Sequence, residues 1–101
     1  MTTEREFMQT LKELATLNGW RYYHTYDSRR SDAGMPDIVM VRPPRVIFAE
    51  LKSQKGRVTP AQGEWLDALA DCPGVETHLW RPSDWEEIVT LLGRDRRLRL
   101  V

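Results

Sequence analysis

Residues 37–52 read DIVMVRPPRVIFAELK, and this stretch decides the fold. It holds two continuous apolar runs, 37–41 and 46–51. Strands of that kind sit centrally in a sheet with both faces covered. The link Arg42-Pro43-Pro44-Arg45 is too short for a crossover helix. The two strands are therefore expected to be antiparallel neighbours. If Arg42 opposes Arg45 across the turn, Asp37 stands across from Glu50. Lys52, two residues beyond Glu50, shares its face, because side chains alternate along a strand. A one-residue bulge would undo this pairing.

Working outward, residues 4–17 carry Phe7, Met8, Leu11, Leu14 and Ala15 at three- and four-residue steps, which predicts an amphipathic helix. Thr2 or Thr3 caps its start, and Asn18-Gly19 stops it. Residues 20–26, WRYYHTY, read as a strand, and 27–36, rich in turn formers and charge, as a loop. Thr59-Pro60-Ala61-Gln62 opens a second helix with a capping box and proline at its first position. Trp65, Leu66, Leu69 and Ala70 form its apolar face, and Cys72-Pro73-Gly74 ends it. Residues 75–80, VETHLW, alternate as a strand does, and Ser83-Asp84 opens a third helix that ends near Gly93. The tail RDRRLRLV reads as an edge strand, a fraying helix or a basic arm. The order α-β-β-β-α-β-α predicts an α/β fold, a mixed central sheet flanked by helices.

With 101 residues, the chain is expected to form one domain over 1–101. No stretch approaches the apolar length of a membrane helix, and MTTEREFMQT lacks a secretory pattern. The lone Cys72 excludes an internal disulfide framework and a cysteine-rich zinc site. A cytoplasmic setting without membrane contact is the expectation. Net charge is zero, yet residues 21–57 hold eight basic side chains against four acids. That local excess points toward a polyanionic partner. His24 and His78 lie in strands and read as structural, and the four tryptophans read as core.

The chemistry centres on Asp37, Glu50 and Lys52. Two carboxylates facing each other across neighbouring strands repel. A divalent cation offsets that repulsion, and hard cations such as Mg²⁺ prefer carboxylate oxygens, water and substrate phosphate. Lys52 is placed to touch a phosphate or the attacking water.

These motifs resemble a known family. Pro36-Asp37 followed by Glu50-Leu51-Lys52 is similar to the PD-(D/E)XK nuclease signature. Gly34-x-Pro36-Asp37, Glu50-x-Lys52-Ser53 and Thr59-Pro60-x-Gln62-x-x-Trp65-Leu66, in this order, resemble its VRR-NUC branch over about residues 3–90. The resemblance implies a restriction-endonuclease-like fold and a Mg²⁺- or Mn²⁺-dependent DNA endonuclease that leaves a 5′-phosphate. It implies Asp37, Glu50 and the backbone carbonyl of Leu51 as metal ligands, with Lys52 as the residue that positions water or phosphate.

The family also uses a glutamate on the first helix. Glu4 is in phase with the apolar stripe and is preferred over Glu6, although either acid also suits the first turn of a helix. Gln62 matches a catalytic glutamine of many such nucleases and equally suits a capping box. Arg29, Arg30 and Ser31 before the motif, and Lys55 and Arg57 after it, are candidate contacts to DNA phosphates. Members of this size resemble phage proteins related to dimeric Holliday junction resolvases. That implies a homodimer acting on structured or duplex DNA in a bacterial host, with a helicase or replication protein as a possible partner. The rival reading is a non-catalytic nucleic-acid-binding module, or a subunit active only with its partner.

Overall fold

The computed structural model describes residues 2–25 and 32–93. Its elements run α1 (Glu4–Leu17), β1 (Arg21–His24), β2 (Ile38–Arg42), β3 (Arg45–Leu51), α2 (Pro60–Ala70), β4 (Glu76–Trp80), a 3₁₀ turn (Pro82–Asp84) and α3 (Trp85–Leu92). The four strands form one mixed sheet in the order β1-β2-β3-β4. β1, β2 and β3 pair antiparallel, and β4 returns parallel to β3 through α2. The expected order and mixed sheet are both present.

The register is the expected one. Arg42 pairs with Arg45 and Ile38 with Ala49, without a bulge. Alternation then divides the sheet. Ile38, Met40, Ile47, Ala49, Leu51 and Trp80 face inward and are buried. They pack with Phe7, Leu11 and Ala15 of α1 and Ile88 and Leu92 of α3. Each inward aliphatic side chain contributes about 1.5–3 kcal/mol by leaving water. The outward face carries Val39, Val41, Val46, Phe48 and Glu50. Here the expectation of two fully covered faces fails: α2 packs mainly on β4, no residue of α2 is fully buried, and the outward valines stay half-buried. A helix lying over the edge strand leaves the middle of that face open.

Several boundaries shift. Trp20 lies outside β1 and enters the core, where its indole N–H donates to the Leu92 carbonyl at 2.9 Å. Thr3, rather than Thr2, caps α1, in a reciprocal capping box with Glu6. Ser83-Asp84 lie in the 3₁₀ turn, and α3 begins after them. α2 ends at Ala70, before Cys72-Pro73-Gly74. Of the tryptophans, Trp20 and Trp80 are core and Trp85 is half-buried, whereas Trp65 is 37% exposed. The tail 94–101, the loop residues 27–31 and the end of the expected first strand at Tyr26 lie outside the described residues.

Two arginines of the basic middle third have an internal task. The guanidiniums of Arg42 and Arg45 lie 4.7 and 4.9 Å from the ring centroid of Trp20. Arg42 donates to the carbonyls of Asn18, Leu92 and Gly93 at 2.9–3.2 Å. Arg45 forks onto Glu76, with both bonds at 2.7 Å, and reaches the Leu91 carbonyl at 3.0 Å. Helix C-termini leave carbonyls without intrahelical donors and favour positive charge. One hairpin thus satisfies the ends of α1 and α3 together. Arg42→Met, which keeps an apolar stem over Trp20 and loses these bonds, is expected to cost about 1–3 kcal/mol. Urea unfolding measures this, and an unchanged midpoint would contradict the account.

Candidate active site

The site forms where the paired register of β2 and β3 ends. Asp37 sits one residue before β2, and its Oδ2 accepts a hydrogen bond from the Leu51 N–H at 3.2 Å. Its backbone carbonyl accepts from Thr25 N–H at 3.2 Å, which ties it to the end of β1. Glu50 lies in β3, 1% exposed, the sole charged or polar residue counted as buried among those described. Lys52 follows β3, held by its N–H donating to the Trp80 carbonyl at 3.0 Å. Its Nζ stands 3.6 Å from Glu50 Oε2.

Burial is the chief force on Glu50. It pushes the carboxyl up to about 8, and hydrogen bonding and repulsion from Asp37 push the same way, while Lys52 opposes them. Glu50 Oε2 accepts from the Gln62 amide at 3.1 Å. Glu50 Oε1 is buried with no hydrogen-bond partner among the described residues. A buried, orphaned carboxylate oxygen is costly unless another group completes it.

Gln62 closes the capping box and also reaches Glu50. Its Oε1 accepts from the Thr59 N–H at 2.9 Å, and the Gln62 N–H donates to Thr59 Oγ1 at 3.2 Å, closing the capping box. Its amide nitrogen remains to hold Glu50. The start of α2 is pressed onto the loop before Asp37. Gly34 has φ +92°, and a Cβ there would lie 2.4 Å from the Ala61 backbone. A side chain at this position is excluded by both conformation and space. Trp65, expected in the core, instead donates its indole N–H to the Ala33 carbonyl at 3.1 Å. Loop, helix and strand are thus fastened around the acids.

The other expected residues separate. The two candidate acids of α1, Glu4 and Glu6, are both exposed. Glu4 is exposed in the first turn, one step ahead of the buried stripe Phe7, Leu11 and Ala15. Glu6 is the acid that lines the groove between α1 and β1 beside Tyr22, Tyr23 and His24. Its carboxylate is engaged by Thr3, which lowers its pKa. Among the described residues no three of His, Cys, Asp or Glu gather where they could hold a metal ion. Lys55 and Arg57 are exposed on the segment after Lys52. Arg29, Arg30 and Ser31 lie outside the described residues. His78 is on the inward face, stacked on Trp80 with centroids 4.9 Å apart, and burial lowers its pKa.

Sequence reasoning missed Arg81. Its Nη1 donates to the carbonyls of Ser53 and Gly56, both at 2.7 Å, and to that of Gln54 at 3.4 Å. A single arginine after a strand carries no signal of such a partner, because the contact spans more than 20 residues of chain.

The donor set suits a hard divalent cation. It offers two carboxylates across adjacent strands, one with a buried oxygen lacking a donor. Known proteins resemble the chain over most of its length. The VRR-NUC domain profile matches residues 2–81. Two solved VRR-NUC domain structures superpose with TM-scores of 0.67 each. One is 19% identical, covering 90% of this chain and 85% of its own; the other is 17% identical, covering 88% and 97%. Hjc, a Holliday junction resolvase of Archaeoglobus fulgidus, superposes with a TM-score of 0.50 at 24% identity, over 78% of this chain and 65% of that one. At these identities the structural matches speak to the fold. No curated protein matches.

The raised Glu50 pKa carries a pH signature. The folded protein holds this proton more tightly than the unfolded chain. The stability it contributes is full below about pH 4.5 and is lost as pH rises through about 8. Each pKa unit is worth about 1.4 kcal/mol, so the loss amounts to a few kcal/mol. In EDTA, melting temperature is expected to fall between pH 6 and 9, with a flatter profile for Glu50→Gln. Parallel profiles for the two proteins would contradict the burial argument.

Proposed function

The chain belongs to the VRR-NUC nuclease family, and from that premise we propose that it is a metal-dependent DNA endonuclease. The observation that carries the reading is the buried Glu50 facing Asp37 with Lys52 beside it. A module that only binds nucleic acid gains nothing from two carboxylates turned toward a polyanion. Asp37, Glu50 and the Leu51 carbonyl would hold Mg²⁺ or Mn²⁺. When bound, such a cation supplies Lewis acidity and lowers the pKa of water.

The chain's own residues do the rest. Gln62 fixes one Glu50 oxygen and leaves the other for the cation. The Leu51 N–H holds one Asp37 oxygen in place. A bound cation would require the charged carboxylate, so Glu50 would have to give up its proton to hold it. Lys52, drawn to Glu50 in the free protein, is then available to orient the attacking water or stabilise charge developing on the phosphate. Water oxygen bonds to phosphorus as the P–O3′ bond opposite it breaks, which leaves a 5′-phosphate and a 3′-hydroxyl that takes its proton from solvent. Lys55 and Arg57 grip the backbone rather than the bases, and so do Arg29, Arg30 and Ser31 in this reading. The helix-one acid, Glu4 by phase, would join only if α1 shifts on binding.

Substrate and assembly follow the relatives in this proposal. The similarity to a Holliday junction resolvase favours structured or duplex DNA as substrate, and paired cuts in such DNA suit a homodimer. The open outward sheet face, with Val39, Val41, Val46 and Phe48 half-buried, supports a second copy.

Asp37→Asn, Glu50→Gln and Lys52→Ala are each expected to reduce cleavage of a labelled four-way junction in Mg²⁺ by at least about a hundredfold, the scale of losing one such group. Circular dichroism should show all three folded. Without metal, Asp37→Asn and Glu50→Gln should bind DNA at least as tightly as wild type. Cleavage at wild-type rate by all three would remove this site from the reaction. Light scattering at micromolar concentration should give twice the monomer mass of 11.8 kDa, and a monomer would reject the assembly.

A further inference from the structure

Arg81 is the point on which the basic segment after the active strand is fixed. Residues 53–57 hold themselves by one internal backbone bond, Gly56 N–H to the Ser53 carbonyl at 3.1 Å. Among the described residues, their other hydrogen bonds come from the end of β4 and the 3₁₀ turn. Arg81 Nη1 collects the Ser53, Gln54 and Gly56 carbonyls. Gln54 Oε1 accepts from the Ser83 N–H at 3.2 Å. Arg81 is itself held, because its backbone N–H donates to Asp84 Oδ2 at 2.8 Å. Its Lys52-side neighbour is fixed too, since Lys52 N–H donates to the Trp80 carbonyl at 3.0 Å. The result is a tight turn whose carbonyls point inward to one cation, with exposed Lys55 and Arg57 on its outer side. The turn is crowded as well: a Cβ on Gly56 would lie 3.1 Å from Ser53 Oγ.

We propose that Arg81 is a positioning residue for substrate binding: by gathering the carbonyls of residues 53–56 it holds Lys55 and Arg57 in the geometry that grips nucleic-acid phosphates beside Lys52. This rests on the nuclease reading and adds the residue through which its phosphate contacts act. A fixed cation contributes more than one on a free loop, because the ordering entropy is already lost before binding. The guanidinium suits the task, since its Nη1 carries two N–H groups that reach fixed carbonyls and it stays charged.

The test is a double-mutant cycle on metal-free binding of a labelled junction, read against salt. Arg81→Gln is expected to weaken binding about tenfold and to lower the salt slope by more than the single charge it removes, as the Lys55 and Arg57 contacts loosen. In the Lys55→Ala with Arg57→Ala background, the same substitution should add little, because its effect passes through those side chains. Arg81→Lys should recover part of the loss. In cleavage assays KM should rise far more than kcat falls. Hydrogen exchange on the unliganded protein should show faster exchange at Gly56 in Arg81→Gln, with the core strands unchanged. Full additivity in the cycle, or unchanged exchange at Gly56, would overturn the proposal. If wild type binds DNA but does not cut it, the cycle and the exchange still decide the role of Arg81 while the enzymatic reading falls. If wild type binds no DNA, both fall.

Discussion

The close approach of two carboxylates, Asp37 and Glu50, is the constraint around which the rest of this structure is arranged. It follows from register: a two-residue turn pairs Arg42 with Arg45, and the same alignment sets Asp37 across from Glu50 at the far end. Left alone, the arrangement is unfavourable, because Glu50 is 1% exposed and beside another acid. The chain answers with the Gln62 amide, the Leu51 N–H and the Lys52 ammonium. One Glu50 oxygen stays unanswered. The proposed cation would complete that oxygen.

Much of the surrounding fold serves that fastening. Gly34 allows the loop before Asp37 to touch the Ala61 backbone, and Trp65 locks it there. At the opposite end of the hairpin, Arg42 and Arg45 close the ends of two helices over Trp20. The strands are therefore clamped at both ends. This also divides the basic middle third by function. Arg42 and Arg45 act inside the protein, whereas Lys55 and Arg57 remain outside it.

The hairpin and its register were legible because a four-residue link and two apolar runs leave one sensible pairing. The cap of α2 was legible because Thr59 and Gln62 act over three residues, whereas the start of α1 stayed open between Thr2 and Thr3. What stayed hidden depends on distance in the chain. The Trp65 bond to Ala33 spans 32 residues, and the Arg81 bonds to Ser53, Gln54 and Gly56 reach back across the whole of α2 and β4. Glu4 shows another limit. Helical phase gives the face of α1 on which a residue stands, yet not whether the sheet extends under its first turn. Glu4 is exposed there, and Glu6 lines the groove. The outer face of the sheet was misread for a related reason. Apolar runs predict burial on both sides, but the helix meant to cover the second side lies toward β4.

In the function proposed above, Asp37 and Glu50 together would hold a divalent cation, and Glu50 would give up a proton to do so. Calorimetric titration of Mn²⁺ into the metal-free protein at pH 7, in two buffers of different ionisation enthalpy, measures both parts at once. The account predicts saturable binding with a fraction of a proton or more released per site, and loss of both signals in Glu50→Gln. Binding that is unchanged in Glu50→Gln, or absent from the wild-type protein at millimolar Mn²⁺, would contradict it.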